Sequence, residues 1–245
     1  ADIDRQSIRN WNHPIGLGQS HDRVFNWFAY DEETEEPIWP NQAINYPSKT
    51  QYIYRVRKNK LDKLYDAYKF SVKYFQNNLS SGIGRDARTY LSSRGINDEI
   101  IKEFEIGLSL ESRDDLTKLL TNKGYELSDL NKIGLSSDDH DIYNDRIMFP
   151  LYDVSGKVVG FSGRIYKPTQ HDSKYMNSPE SDIFIKGQTL YNYHLCKEAV
   201  KKEGFVYLLE GFMDVIAMYK AGIENTLAIM GTALTNGHIQ ALRRL

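Results

Sequence analysis

The chain has 245 residues, with 31 Lys and Arg against 33 Asp and Glu, so its formal net charge is −2. This length allows one or two domains, and 40% hydrophobic with 26% charged residues is typical of a globular protein. A single cysteine excludes a disulfide scaffold and a multi-cysteine zinc ribbon. No apolar run approaches the ~20 residues of a membrane span. We therefore expect a cytoplasmic protein with no membrane attachment and no zinc.

Charge is distributed unevenly along the chain. Residues 1–50 hold four basic and eight acidic residues together with three tryptophans, and no function is assigned to this segment. Residues 51–90 hold nine basic and three acidic residues, a balance suited to a phosphate-bearing partner. A solvated helix face is the simpler explanation of the charge alone. We expect a domain boundary near residue 50.

Helical patterns dominate the first half of the chain. Apolar residues recur at steps of three and four over residues 61–79, which is the spacing of an amphipathic helix. The cluster of serines and glycines at 80–84 ends that pattern. Shorter helices are predicted over residues 85–93, 98–104 with Asn97 as N-cap, 114–122 and 127–132.

The pattern changes at residue 147. Residues 147–154 and 157–166 predict a β-hairpin around a Ser-Gly turn. The elements predicted after it are a helix at 190–202, a strand at 205–209 buried on both faces, a helix at 212–221, a strand at 226–230 and a helix at 235–245. This alternation indicates parallel strands joined by right-handed crossovers. The predicted fold class is α+β followed by α/β: a mixed helical and β-hairpin subdomain, then the start of a parallel sheet.

Two carboxylates flank the turn after the first predicted strand of that sheet. Glu210 follows the strand, Gly211 permits a sharp turn, and Asp214 lies in the first turn of the next helix. The carboxyl end of a parallel strand is where such folds bind ligands, and two carboxylates there suit Mg²⁺ completed by phosphate and water. A helix-capping acid beside a surface acid is the competing interpretation, and spacing alone does not decide between them.

The identities of the residues around this turn are more informative than their spacing. The segment from Glu210 to Thr235, which includes Gly231 and Thr232, resembles the first half of a TOPRIM domain, the metal-binding module of primases and of type IA and II topoisomerases. From about Lys60 onward the chain resembles the RNA polymerase core of the bacterial replicative primases, the DnaG family. Five ordered blocks carry this resemblance: Arg94-Gly95-Ile96, Arg146-Ile147-Met148-Phe149-Pro150, Gly160-Phe161-Ser162-Gly163-Arg164, Lys174-Tyr175-Met176-Asn177-Ser178-Pro179-Glu180 and Phe184-Ile185-Lys186-Gly187.

The resemblance implies a domain organisation and an activity. It divides the chain into an unassigned acidic, Trp-containing segment at 1–50, a basic template- and nucleotide-binding subdomain at 51–190, and a partial TOPRIM domain at 191–245. The implied activity is DNA-templated synthesis of short RNA primers, a nucleotidyltransferase reaction. The implied partners are a single-stranded DNA template, ribonucleoside triphosphates and, through a region outside this sequence, the replicative helicase.

The resemblance also implies roles for individual residues. Glu210 would be the general base or a metal partner, and Asp214 a ligand of Mg²⁺ or Mn²⁺. The residues implied to bind nucleotide or phosphate are Lys174, Lys186, Arg164, Tyr175 and Asn177. Those implied to bind template are Arg94 and Arg146. Cations at these positions suit phosphates, and a tyrosine suits an unpaired base.

Two alternatives stay open because the implied metal site is incomplete. A TOPRIM site also needs an Asp-x-Asp motif on the following strand, and the sequence stops at Leu245 before that strand. The chain is therefore also interpretable as a single-stranded DNA-binding module without catalysis. Another TOPRIM nuclease or topoisomerase is disfavoured by the primase-specific blocks.

Overall fold

The computed structural model describes residues 49–167, 173–230 and 233–245, with side chains from residue 60 onward. The interpretation of residues 1–50 as an acidic, tryptophan-containing segment falls almost wholly outside these described residues. So do the side chains of Arg55, Arg57 and Lys58, which belong to the predicted basic block. The chain divides into two units, Ala1–Asp62 and Lys63–Leu245. Among the described helices, none has the length and apolar character needed to cross a membrane.

Helix α1, Lys49–Ser80, confirms the long predicted helix and extends it towards the N-terminus. In the second unit its apolar face is almost completely buried, at Leu64, Tyr68, Val72, Phe75 and Leu79. The spacing of four, four, three and four residues keeps these side chains on one stripe. The Phe75 ring meets the Phe161 ring edge-to-face at 5.1 Å, so α1 packs directly onto the β-hairpin.

Short helices and strands follow α1. They are α2 Arg85–Ser93, α3 Asp98–Glu103, β1 Gly107–Ser109, α4 Asp115–Asn122, α5 Leu127–Lys132, β2 Ser136–Ser137 and β3 His140–Asp141. Asn97 caps α3 as predicted, because its side chain accepts a hydrogen bond from the Ile100 amide at 3.0 Å. The amides at the start of α4 instead bind a residue far along the chain. The carboxylate of Asp141 accepts hydrogen bonds from Leu116 N and Thr117 N at 3.0 and 2.8 Å.

The predicted hairpin is confirmed as the centre of a four-stranded antiparallel sheet in the order β1-β4-β5-β6. Its remaining strands are β4 Arg146–Tyr152, β5 Val158–Ile165 and β6 Tyr175–Asn177. The β5–β6 register pairs Arg164 with Tyr175 and Gly163 with Met176. Two blocks that are separate in the sequence therefore lie side by side on adjacent strands.

A second sheet of three strands has the order β7-β9-β8. The elements of this part are β7 Leu190–Tyr191, α6 Tyr193–Glu203, β8 Tyr207–Leu209, α7 Phe212–Lys220, β9 Thr226–Ile229 and α8 Asn236–Leu242. Strands β8 and β9 are parallel and α7 connects them, whereas β7 runs antiparallel to β9. The predicted class, α+β followed by α/β, is confirmed.

Two local predictions are wrong. Leu190 and Tyr191 form a strand rather than the start of a helix, because they pair with Ile229 and Ala228 of β9. The segment at 205–209 is not buried on both faces: Phe205 and Tyr207 are 49% and 43% exposed. The reason is position, since β8 is an outer strand of its sheet in the described chain, and the central strand β9 is the buried one.

One hydrophobic core joins the two sheets. The ring of Phe149 on β4 lies 4.7 Å from the ring of Phe212 at the start of α7. Tyr191 on β7 stacks on Phe104 at 6.2 Å and contacts Phe212 at 5.4 Å. Aromatic rings in a shared core hold their neighbours firmly. The turn that carries Glu210 is therefore fixed relative to the hairpin sheet.

Candidate functional site

The acidic turn lies between β8 and α7, where it was predicted. Glu210 and Asp214 are both exposed to solvent. Gly211 has extended backbone angles, φ −137° and ψ 153°, which any residue can adopt. A Cβ at Gly211 would lie 3.4 Å from Asp214 Oδ2, an ordinary van der Waals contact with a flexible side chain. The Asp214 carboxylate therefore lies over the turn that follows Glu210.

The two carboxylates suit a hard cation that keeps part of its water shell. Neither forms an ion pair with a basic side chain in the described part of the chain. Over those same residues, no group of three His, Cys, Asp or Glu side chains is close enough to hold a metal ion. Mg²⁺ is commonly held by one or two carboxylates, with water and substrate phosphates completing its coordination. Gly231 and Thr232 lie outside the described residues, and the metal site stays a prediction.

The basic side of the site is built around Arg164 on β5. Only 4% of this residue is exposed. Its Nε donates to the Tyr90 hydroxyl at 2.9 Å, and its Nη1 donates to the Tyr175 hydroxyl. The guanidinium carbon lies 5.6 Å from the Tyr90 ring centroid and 5.1 Å from that of Tyr175, within cation–π range. Arg164 is therefore held between two tyrosines.

Two exposed cations adjoin these tyrosines. Arg94 follows α2, and its guanidinium carbon lies 5.4 Å from the Tyr90 ring centroid. Lys174 Nζ lies 5.8 Å from the ring centroid of Tyr175. We call Tyr90, Arg94, Arg164, Lys174 and Tyr175 the arginine–tyrosine cluster. Burial raises the pKa of Tyr175 although Arg164 and Arg94 oppose the shift, so its phenol stays protonated at neutral pH.

Helix α7 ties the cluster to the acidic turn. At its N-terminal end, the Phe212 ring meets the Tyr175 ring edge-to-face at 5.5 Å. At its C-terminal end, Lys220 Nζ donates to the Arg94 carbonyl oxygen at 2.9 Å. A helix of nine residues is about 13 Å long at ~1.5 Å per residue. The helix that carries Asp214 thus contacts the cluster at both ends.

Other residues implicated by the sequence take no part in these contacts. Arg146 is 3% exposed, and its Nη1 donates to the carbonyl oxygen of Ser173 at 3.0 Å, so it anchors the segment leading to Lys174. Lys186 contacts other parts of the chain: its amide donates to Glu180 Oε1 and its carbonyl oxygen pairs with His238 Nε2. Asn177 is exposed and lies opposite Ser162 on β5. The roles of these residues stay predictions.

Sequence reasoning missed Tyr90, Phe212 and Lys220. Tyr90 had one available signal: it lies four residues before Arg94, which directly follows the predicted helix 85–93, and residues four apart share a helix face. Phe212 and Lys220 had none, since their partners come from β6 and from the turn after α2. Their contributions depend on tertiary packing.

Comparison with known proteins places the chain among the primases. Residues 74–197 match the family described as DNA primase catalytic core, N-terminal domain, and residues 204–245 match the Toprim domain. The chain is 43% identical to the DNA primase of Lactococcus lactis subsp. lactis over 172 residues, which are 68% of this chain and 27% of that protein. It spans only 27–28% of the length of the first curated relatives that it matches.

Solved structures agree in fold. The crystal structure of the RNA polymerase domain of Mycobacterium tuberculosis primase DnaG superposes with a TM-score of 0.70 and 30% identity, over 75% of this chain and 61% of that one. The DnaG primase catalytic domain bound to single-stranded DNA gives a TM-score of 0.68 and 33% identity, over 76% of this chain and 61% of that one.

Proposed function

Since the chain belongs to the bacterial DnaG family of primase catalytic cores, we propose that it takes part in DNA-templated synthesis of short RNA primers. The supporting observation is the ring contact between Tyr175 and Phe212, which joins the arginine–tyrosine cluster to the acidic turn. Polymerisation requires a strand-binding surface next to a site that handles charge on reacting oxygens. The contact supports the proposal because it joins the residues that we assign to these two tasks.

The proposed template-binding surface is the exposed side of the arginine–tyrosine cluster. Arg94 and Lys174 present cations to solvent, and phosphate contacts supply much of the affinity for nucleic acid. The neighbouring tyrosine rings are suited to unpaired bases. A relative of similar fold has been crystallised with single-stranded DNA. Ribonucleoside triphosphates are the proposed second substrate. A replicative helicase is the proposed partner, and the cytoplasm is the proposed location.

The proposed metal-binding residues are Glu210 and Asp214. A bound Mg²⁺ or Mn²⁺ would supply positive charge to the attacking and leaving oxygens of phosphoryl transfer. Asp214, turned back over Gly211, would be a ligand. Glu210 would be a second ligand, or would accept the proton of the primer 3′ hydroxyl on a carboxylate oxygen.

A second function, single-stranded DNA binding without catalysis, is favoured by one observation. In the described segments, the acidic turn has two carboxylates and no third ligand side chain nearby. Two-metal phosphoryl transfer uses a pair of ions roughly 4 Å apart, which needs more ligands than these. The two functions differ in whether nucleotides are incorporated.

Primer synthesis and DNA binding, measured on the same preparations, distinguish the two functions. The chain is incubated with a single-stranded template, labelled ribonucleoside triphosphates and Mg²⁺. Template-dependent incorporation that is lost in Glu210→Gln, with unchanged affinity for the template, supports primer synthesis. The matched control is Glu198→Gln, an exposed glutamate on α6, which should behave like the wild type.

Each remaining outcome also has a meaning. Salt-sensitive DNA binding by the wild type without any incorporation supports the binding module. Near-normal incorporation by Glu210→Gln contradicts the role given to Glu210. Absence of both binding and incorporation contradicts both functions.

A further inference from the structure

Tyr90 lies at the centre of the arginine–tyrosine cluster. Its hydroxyl accepts the Nε–H of Arg164 at 2.9 Å. Two guanidinium groups lie near its ring, with carbon-to-centroid distances of 5.4 Å for Arg94 and 5.6 Å for Arg164. This one side chain of α2 therefore contacts both an exposed cation just after its own helix and a buried cation on β5.

The buried position of Arg164 indicates what its guanidinium does. At 4% exposure it has little surface to offer a polynucleotide. The guanidinium is planar and has donors in a fixed fork, and here two of these donors bind the hydroxyls of Tyr90 and Tyr175. Arg164 thus bridges two tyrosines from different elements. Any rotation of its guanidinium would also move Tyr175.

Tyr175 is the next member of this chain of contacts. Its ring meets Phe212, two residues beyond Glu210, and Lys174 directly precedes the strand that Tyr175 begins. The orientation of Tyr175 therefore affects both the exposed cations and the start of α7. The orientation of Tyr175 depends on Arg164, and that of Arg164 on Tyr90.

We propose that Tyr90 is a positioning residue for single-stranded DNA binding. Its hydroxyl orients Arg164, Arg164 holds Tyr175 in place, and the Tyr90 ring holds Arg94 beside them. Tyr90 need not touch the DNA for this role. The inference rests on the proposed function, because it assumes that the exposed side of the cluster binds the template.

The test is a double-mutant cycle on the affinity of the chain for a single-stranded oligonucleotide. Tyr90→Phe removes the hydroxyl and keeps the ring. We expect about fivefold weaker binding, since the lost hydrogen bond involves a charged donor and part of its effect reaches the surface. In an Arg164→Lys background the same change should have little further effect, because a lysine ammonium does not reproduce the fixed planar geometry in which arginine donates to both tyrosines.

The matched control is Tyr166→Phe. Tyr166 is a neighbouring tyrosine whose hydroxyl also binds a charged group, donating to Asp145 Oδ1 at 2.7 Å. Its ring centroid lies 6.4 Å from that of Tyr90. The control makes the same chemical change without touching Arg164, so its affinity should equal that of the wild type.

Three results would overturn the proposal. These are wild-type affinity in Tyr90→Phe, a loss that simply adds to that of Arg164→Lys, and an equal loss in Tyr166→Phe. If Tyr90→Phe fails to fold, Arg164→Lys alone is decisive: it keeps the charge but not the planar bridge. Weaker binding by this variant then supports the proposal, and unchanged binding overturns it.

The affinities of Arg94→Ala and Lys174→Ala separate this inference from the proposed function. If both bind as tightly as the wild type, the cluster is not the template site and the proposed binding surface fails. If both bind more weakly while Tyr90→Phe does not, only the role of Tyr90 fails.

Discussion

At the scale of single residues, Arg164 illustrates how a cation is accommodated inside a protein. Burial of an isolated charge is costly unless hydrogen bonds and attractive contacts replace water. Here two tyrosine hydroxyls accept from the guanidinium and two tyrosine rings lie within cation–π range. Because both tyrosines are half-buried and pack against the hydrophobic core, the guanidinium has a defined orientation.

His194 gives a prediction about pH. Burial lowers its pKa from the ordinary 6.5 to about 4, and the nearby charge of Lys197 acts in the same direction. Between pH 6.5 and 4 the unfolded chain therefore binds a proton that the folded chain does not. Stability should fall as the pH is lowered through this window. Urea unfolding at pH 7 and at pH 4.5 measures the loss.

The variant His194→Phe isolates this contribution. It keeps a ring beside Tyr152, whose ring centroid lies 4.0 Å from that of His194, and removes the titrating group. Wild type should lose more stability than the variant between the two pH values. Burial raises the pKa of Glu105, which acts with the opposite sign but is common to both proteins. Identical pH dependence in the two proteins would contradict the prediction.

Local residue roles were predictable where the signal lies in neighbouring positions. Asn97 was identified as an N-cap, and its side chain accepts a hydrogen bond from the amide three residues on. The bond between Arg164 and Tyr90 joins residues 74 positions apart. No local pattern encodes that distance, so Tyr90 was not identified from the sequence.

At the scale of elements, the close passage of β1 along α1 requires glycine at position 107. A Cβ there would lie 2.6 Å from the Phe75 carbonyl carbon and 2.9 Å from the Gln76 nitrogen, both backbone atoms of α1. The strand and the helix therefore touch without a side chain between them. The contact locks the long helix onto the four-stranded sheet.

Gly107→Ala should accordingly destabilise the protein by roughly 1–3 kcal/mol, the usual cost of overpacking. The control is Gly82→Ala, where no described atom lies within 4 Å of the new methyl group. Denaturant unfolding of the two variants gives the comparison. Equal stability of Gly107→Ala and the wild type would mean that β1 and α1 separate at little cost.

The sequence predicted those elements whose pattern extends over many residues. Helix α1 was found because its hydrophobic periodicity extends over several turns, and the β4–β5 hairpin because two long strand-like segments flank a Ser-Gly turn. Strands β6 and β7 have three and two residues, too few for a period, and exist because β5 and β9 offer open edges to pair with. The burial of β8 was overestimated because apolar composition does not reveal a strand's place in the sheet.

At the scale of the whole molecule, net charge gives no hint of the cationic surface. The formal charge is −2, yet Arg94 and Lys174 lie exposed on one cluster. The acidic turn was located from its strand–glycine–helix pattern, while the basic residues came from family resemblance. Their meeting depends on β5–β6 pairing and on Phe212, which only the folded chain reveals.

The salt dependence of DNA binding tests this surface as a whole. Each phosphate contact to a single strand contributes about 0.7 to the slope of log affinity against log salt. Arg94→Ala should therefore reduce that slope by about 0.7 and weaken binding similarly for all sequences. The control is Lys118→Ala, whose ammonium is already paired with Asp114 at 2.9 Å. An unchanged slope in Arg94→Ala would exclude a phosphate contact there.

The chain's single sulfhydryl can be used to measure how often the native protein opens. Cys196 on α6 is completely buried, and burial raises its pKa to about 11, so the reactive thiolate is scarce in the native protein. Alkylation of the native protein must then wait for transient opening, and its rate reports the free energy of that opening. Fluorophores can accordingly be attached to new cysteines on the outside without first deleting the natural one.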